Sequence, residues 1–251
     1  MREHGFVDLS ARLLPLIDDG PTRLSDAVQV ATAAAQHGTD FVVLTPRYQD
    51  HAYVDRRAQC ESAFALLRQQ LAERGLALDL ALAGTCRFDA SLQQAIMRDE
   101  VPWLGHFGSD RVVLIEVPKT RLPKAFEQAV AWMRRQHVRP RIAGAEHNHE
   151  LAKHPERLRA LIDHGALVQL CADSLAGGRG PFAQATAQQM LVQGTVHVLA
   201  SEGSDLGTRP PWLEPGRTAA AALVGEDVAE ALVFHTPAQI ASFHFPQLTL
   251  L

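Results

Sequence analysis

Short aliphatic or β-branched runs alternate with longer amphipathic stretches along the whole chain. The runs are Phe6-Val7-Asp8-Leu9, Phe41-Val42-Val43-Leu44, Leu78-Asp79-Leu80-Ala81-Leu82, Arg111-Val112-Val113-Leu114-Ile115, Arg139-Pro140-Arg141-Ile142-Ala143, Leu167-Val168-Gln169-Leu170 and Val196-His197-Val198-Leu199-Ala200. Each is too short for a helix, and each is separated from the next by a segment long enough to hold one. Such runs predict buried parallel strands, because right-handed crossovers cover a parallel sheet with helices.

The intervening segments carry helix punctuation. One helix is predicted from Ser25-Asp26 to His37-Gly38, a basic residue followed by a glycine stop. A longer one runs from Asp55 to Arg74-Gly75, with Leu66, Leu67 and Leu71 as its apolar stripe. Lys124 to His137, Pro155 to His164 and Pro181 to Gly194 follow, two of them opening on a proline where the first turn tolerates it. A last helix begins at Gly225-Glu226-Asp227 and stops before Pro237. About seven β-α units with no long linker predict one domain over residues 1–251, a closed or nearly closed barrel. In such barrels the chemistry sits where each strand ends and its loop begins.

Composition narrows the function. A chain of 251 residues, 47% hydrophobic and 21% charged, can bury a substantial core. Its net charge of -4 gives no general pull toward nucleic acid or an anionic membrane. Trp103, Trp132 and Trp212 are not interleaved with a basic patch, so a base-stacking platform is not predicted. Neither a signal-peptide pattern nor a membrane-length apolar run is present, and the chain is expected to be cytoplasmic. Cys60, Cys86 and Cys171 form no Cys-x-x-Cys pair and are expected to be structural thiols.

The strand-end phrases carry a resemblance. Val7-Asp8-Leu9-Ser10-Ala11-Arg12 leads into Asp18-Asp19-Gly20-Pro21, and late in the chain Ala200-Ser201-Glu202-Gly203-Ser204-Asp205 precedes Arg209-Pro210-Pro211. In that order the phrases resemble the manganese-dependent tyrosine phosphatases of bacterial capsule and exopolysaccharide synthesis, in the PHP (polymerase and histidinol phosphatase) superfamily. The resemblance implies a distorted TIM-like (β/α)7 barrel of PHP type. It also marks the former site. The family aspartate falls on Asp8, and two family histidines fall on Ser10 and Arg12. Thr-Pro-His becomes Thr45-Pro46-Arg47, Gly-Ala-Glu is matched by Ala83-Gly84-Thr85, and Glu116 is retained. Ala-His-x-Glu-Arg becomes Ala143-Gly144-Ala145-Glu146-His147. Glu202 and Ser204 replace an aspartate and a histidine, while Arg209 resembles a family arginine near the substrate phosphate.

Serine is a poor ligand for divalent ions, glycine offers no side chain, and a guanidinium cannot ligate them. The expectation is therefore a catalytically inactive pseudophosphatase with no cofactor and an anion-binding or regulatory role. One alternative is an active phosphatase or phosphoesterase holding manganese or magnesium in a reduced site of Asp8, Glu116, Glu146, His147 and Glu202. Another is a binding module for a sugar or small anion. Partners implied by the resemblance are a tyrosine kinase or polysaccharide-synthesis complex, with a phosphate or acidic sugar as ligand. Arg12 and Arg47, both at former histidine positions, are expected to act as counter-ions to Asp8, Glu116 and Glu202 in place of metal. With Arg209 they form a candidate anion-binding set.

Competing signals are weaker. His147-Asn148-His149 is a local His-x-His pair, read as a surface loop with solvated rings. Cys171 lacks a Cys-x5-Arg cradle, and no Walker loop or Gly-x-Ser-x-Gly elbow is present. His197, inside an apolar run, is expected to be a core residue.

Overall fold

The computed structural model describes residues 4–48 and 53–250. The predicted alternation is present. In chain order the first half holds β1 (Phe6–Ala11), α1 (Leu24–Gln36), β2 (Thr39–Leu44), β3 (Arg47–Tyr48), α2 (Tyr53–Glu73), β4 (Asp79–Leu82), β5 (Thr85–Arg87) and α3 (Ala90–Met97). Then come β6 (Gly105–Phe107), β7 (Asp110–Glu116), α4 (Phe126–Arg135), β8 (Val138–Ala143), α5 (His149–Lys153), α6 (Pro155–Asp163) and β9 (Leu167–Cys171). The chain ends with α7 (Ala172–Ala176), α8 (Pro181–Val192), β10 (Val198–Ala200), α9 (Glu214–Val224), α10 (Glu226–Glu230) and α11 (Thr236–Ala241).

The strands form a distorted TIM-like barrel. β1, β2 and β4 pair in parallel, and β10, β9, β8, β7, β5 and β3 pair in parallel in that order. β2 breaks and resumes as β3, and β4 as β5. Thr45 N to Ala11 O (2.9 Å), Ala83 N to Leu44 O (2.9 Å) and Thr85 N to Pro46 O (2.8 Å) carry the ladder across the breaks. Closure comes from the segment after β10, where Glu202 N donates to Ser10 O and Arg12 N to Gly203 O, both at 2.8 Å. The antiparallel β6 covers the N-terminal half of β7, where β5 does not reach.

Strand periodicity places the site. Alternate residues point to opposite faces, so Val112 and Leu114 join one apolar cluster with Phe41, Val43 and Leu167, while Val113 and Ile115 join the cluster under the helices. The same parity carries Glu116 onward from Leu114, Gln169 and Cys171 onward from Leu167, and places Arg141 on the face of Ala143. That face is therefore apolar toward the N-terminal ends of the strands and polar toward the C-terminal ends.

Several elements depart from the sequence reading, among them the short β3, β5, β6, α5 and α7. α3 is capped by Asp89, whose side chain accepts from Ser91 N and Leu92 N, and α9 begins with Glu214-Pro215; neither was anticipated. The last helix does not stop before Pro237. A π turn over Ala231–His235 resets the register, and Pro237 falls in the first turn of α11, where its missing N–H is not needed.

α11 packs against the start of β6 at Gly105, which has φ 146 and whose added Cβ would lie 1.9 Å from the Ile240 carbonyl oxygen. Gly105→Ala is expected to cost on the order of 3 kcal/mol from backbone strain and overpacking. Urea denaturation checks this; a midpoint equal to that of the parent chain would refute the close approach.

Candidate functional site

The C-terminal mouth of the barrel is organised around one carboxylate. Asp19, in the loop after β1, meets Arg12 Nη1 at 3.0 Å and Arg47 Nη1 at 3.0 Å, and it accepts from Arg209. Arg209 Nη2 also donates to the Asp19 carbonyl at 2.9 Å. Glu116, ending β7, accepts from Arg47 Nε at 3.0 Å and lies 3.8 Å from Arg12 Nη2. Asp18 completes the cradle: it accepts from Arg47 N at 2.6 Å and pairs with Arg56. Leu16 and Asp18 have φ 61 and 52, so this loop is held in the left-handed region by its contacts.

The charges set the carboxylates' protonation. Burial alone would raise the Asp19 carboxyl, but the hydrogen bond from Arg209 and the charges of Arg12, Arg47 and Arg209 bring it down to about 2. Burial of Glu116 is likewise outweighed by the Arg47 hydrogen bond and the charges of Arg12 and Arg47, leaving its carboxyl below the usual range.

Below the mouth lies a second, buried polar layer. Asp8 is buried; it accepts from Ser201 Oγ, from Ser201 N at 3.1 Å and from Ser10 N at 3.1 Å. Burial raises its carboxyl to about 6 despite those bonds and the charge of Arg141. Arg141 is fully buried, donates through Nη2 to the Leu9 carbonyl at 2.9 Å, and has no hydrogen-bond partner for Nε or Nη1 among the described residues. Burial lowers it to about 9, opposed by Asp8 and Glu202, so it stays cationic at neutral pH. Glu146 accepts from Cys171 N at 2.9 Å, and burial together with the charge of Glu202 pushes it up to about 7. Glu202, with φ 52, accepts from Gln169 Nε2 at 2.9 Å.

The remaining former-site positions serve the walls. Ser10 Oγ and Thr45 Oγ1 are 2.9 Å apart, and Thr85 Oγ1 donates to the Thr45 carbonyl at 3.2 Å, stitching adjacent strand ends. Gly144 (φ 72) opens the tight 3-10 turn Ala145–His147. Ser204 N donates to the Arg209 carbonyl at 2.9 Å, fixing the loop that delivers Arg209.

Several expectations need correction. Arg12 and Arg47 do neutralise Glu116, but their other partner is Asp19; Asp8 and Glu202 lie near Arg141 instead. The strand parity of Arg141 carried that signal, since a charge in the middle of an apolar run must face somewhere. The expectation of two solvated rings holds for His149, which is exposed, but not for His147. His147 lies in the 3-10 turn, partly buried beside Ser174 Oγ (3.4 Å), while the His149 ring packs on Phe182 at 4.9 Å. Within the set Asp8, Glu116, Glu146, His147 and Glu202, His147 Nε2 and Glu146 Oε1 are 3.7 Å apart, but no group of three or more His, Cys, Asp or Glu able to hold a metal ion occurs among the described residues. Cys171 is an inert core thiol, pushed up to about 12 by burial. His197 accepts from Val168 N at 3.1 Å, away from the mouth, as expected for a core histidine.

A cavity of ≈ 420 Å³ opens beside Arg47, with Arg87, Phe88, Glu116, Lys119 and Pro123 in its lining. Among the described residues no carboxylate lies within ion-pair distance of Arg87 or Lys119. Sequence reasoning missed both, because neither lies in the phrases that carry the resemblance.

A family model described as capsular polysaccharide synthesis, CpsB/CapC, matches residues 6–242. The tyrosine-protein phosphatase YwqE of Bacillus subtilis is 26% identical over 204 residues, covering 81% of this chain and 79% of its own. The tyrosine-protein phosphatase CpsB of Streptococcus pneumoniae is 21% identical over 240 residues, covering 94% and 98%. A chain from the crystal structures of YwqE and CpsB, described as unique metal-dependent tyrosine phosphatases, superposes with a TM-score of 0.82 at 23% identity, covering 90% of each chain.

These comparisons correct two expectations. The reading as a catalytically inactive barrel gives way, because the relatives spanning the same length are named tyrosine-protein phosphatases. The expectation of no cofactor gives way too, because the solved structures with this fold are of metal-dependent enzymes. Missing histidines do not by themselves exclude turnover, because fixed positive charge on a phosphoryl group is also supplied by guanidiniums. The donor set of this chain nevertheless does not fit a histidine-bound metal cluster. Ser10, Arg12, Arg47, Gly144 and Ser204 offer no imidazole, and Asp19 and Glu116 are held by arginines.

Removing either arginine leaves a carboxylate partly uncompensated. Arg12, the more buried, is expected to cost about 2–3 kcal/mol on Arg12→Ala, and the more exposed Arg47 about 1 kcal/mol on Arg47→Ala. Chemical denaturation should therefore rank Arg12→Ala as the weaker protein, and the reverse order would refute this ion-pair geometry. Asp19 is depressed in the folded state, so its contribution is complete above the ordinary carboxylate range and is lost as pH falls toward about 2. Asp19→Asn should flatten the acid limb of stability against pH.

Proposed function

This chain belongs to the CpsB/CapC family of capsular polysaccharide synthesis, and from that premise we propose that it is a phosphoesterase of the tyrosine-phosphatase class with a remodelled, arginine-based site. The observation that carries the reading is the placement of Arg47 between Asp19 and Glu116 at the edge of a cavity that also holds Arg87 and Lys119. The phosphate of an aryl ester enters this cavity and is met by Arg47, Arg87 and Lys119, which neutralise the charge that develops on the phosphoryl oxygens. A water attacks phosphorus and its proton passes to the Glu116 carboxylate, while the bond to the phenolic oxygen breaks and the phenolate leaves. The substrate class is a phosphotyrosyl protein, with a tyrosine kinase or polysaccharide-synthesis complex as the partner that presents it.

The Asp19 and Glu116 carboxyls lie below the usual range, so the base is ionised through neutral and mildly acidic pH. Activity should fall only as pH drops through the carboxylate range. An aryl phosphate assay, with and without chelator and with and without added manganese, tests the reading. Expected is turnover that falls about 10²–10³-fold in Arg47→Ala, the scale for losing one preorganised charge donor, with the chelator and manganese arms reading whether a metal takes part. Turnover that persists undiminished in Arg47→Ala would overturn the arginine-based site. No turnover under any of these conditions would remove the hydrolase reading.

A further inference from the structure

The cavity beside Arg47 ends at a ridge formed by Phe88 and Pro123, and the same two residues line a second cavity of ≈ 570 Å³. This second cavity runs between α3 and α4, with Leu92, Ile96, Trp132 and Met133 in its lining. The two cavities differ in charge: the first carries Arg47, Arg87 and Lys119 beside Glu116, and the second is lined mainly by apolar side chains.

The ridge and trough are held rigidly. Phe88 stands edge-on to Phe126, with ring centroids 5.0 Å apart and an interplanar angle of 88°, and Phe126 is fully buried at the start of α4. Asp89 caps α3 immediately after the ridge, fixing the direction in which that helix leaves. A ligand therefore meets a preformed trough, which lowers the ordering cost of binding. An apolar trough that shares a wall with a phosphate-sized cationic pocket suits a ligand carrying both features on one chain. A free sugar phosphate or inorganic phosphate fills only the first.

We propose that the α3–α4 trough binds the polypeptide flanking a phosphorylated tyrosine, taking one large apolar side chain while the phosphate occupies the cavity beside Arg47. This rests on the phosphate-ester reading for the first cavity. An extended peptide advances about 3.3 Å per residue, so a side chain a few residues from the phosphotyrosine reaches across the shared ridge. Arg135 on the trough lining and Arg87 on the pocket lining give the partner's intervening residues an acidic preference.

The test is fluorescence anisotropy with labelled phosphotyrosine peptides bearing leucine three residues before or after the phosphotyrosine, against the same peptides with alanine there. Two variants, Gln128→Glu and Ala90→Glu, place a carboxylate in the trough at exposed positions. Expected is about tenfold tighter binding of one leucine peptide than of its alanine partner, the scale for burying one such side chain. That preference should vanish in both variants while turnover of a small aryl phosphate is unchanged. Equal binding of the leucine and alanine peptides, or a preference that survives both variants, would overturn the trough. If the preference is found but no aryl phosphate is turned over, the hydrolase reading fails and the trough stands. If turnover is found without preference, the trough alone fails.

Discussion

Asp19 gathers three arginines that reach it from different parts of the chain: Arg12 just past β1, Arg47 where β2 resumes as β3, and Arg209 in the loop after β10. These are the segments that must meet for the barrel to close, and the backbone bonds Arg12 N to Gly203 O and Glu202 N to Ser10 O lie directly beside the cluster. Closure therefore brings the guanidiniums together, and charges brought together out of water require compensation. Asp19 and Glu116 provide it. Asp205 Oδ2 lies 3.8 Å from Arg209 Nε, so three arginines face three carboxylates at the mouth, and the unbalanced positive charge of the adjoining cavity is that of Arg87 and Lys119, which have no carboxylate within ion-pair distance among the described residues.

The layer beneath shows the cost of the same architecture. Asp8, Arg141, Glu146, Gln169 and Ser201 are all buried, at strand ends or inside strands where a purely apolar barrel would have aliphatic side chains. Burial lifts Asp8 and Glu146 toward neutrality and lowers Arg141, each moving in the direction that reduces buried charge. Arg141 keeps its charge because Asp8 and Glu202 oppose the desolvation. The layer thus couples β1, β8, β9 and the segment after β10 through one fixed cation, beneath the arginines of the mouth.

The strands were legible because the apolar runs are short and the parity within each is consistent; the closed barrel followed from their number and their separation. Elements with little periodic signal were not legible. α3 is specified mainly by the Asp89 cap, and the turn before α11 by a π insertion that no local motif announces. At the site, the former ligand positions could be followed residue by residue, but their new partners could not. Arg12 and Glu116 are far apart in sequence, and only closure reveals that Asp19 rather than Asp8 takes the arginines. Loss of histidines was legible; loss of function did not follow from it, since positive charge at a phosphate site is also supplied by guanidiniums.

A fixed guanidinium differs from a metal ion in a way that bears on substrate choice. A divalent ion lowers the pKa of its bound water and so creates a strong nucleophile at neutral pH; a guanidinium stabilises phosphoryl charge but activates no water by itself. On the proposed reading, Glu116 must serve as the base, and its carboxyl is held below the usual range by Arg47 and Arg12. A weak base and an unactivated water suit an ester whose leaving group departs readily. The phenol of tyrosine, with a pKa of about 10, is such a group, whereas an aliphatic alcohol is far more basic and would need protonation as it leaves. Arg47 and Arg87 are guanidiniums that do not give up a proton and Glu116 is held ionised, which leaves the Lys119 ammonium, a weak acid, as the proton donor among the charged lining residues. On the proposed reading a weak base and a weak acid favour aryl over alkyl and sugar phosphates, and leave discrimination among aryl phosphates to contacts beyond the phosphate itself.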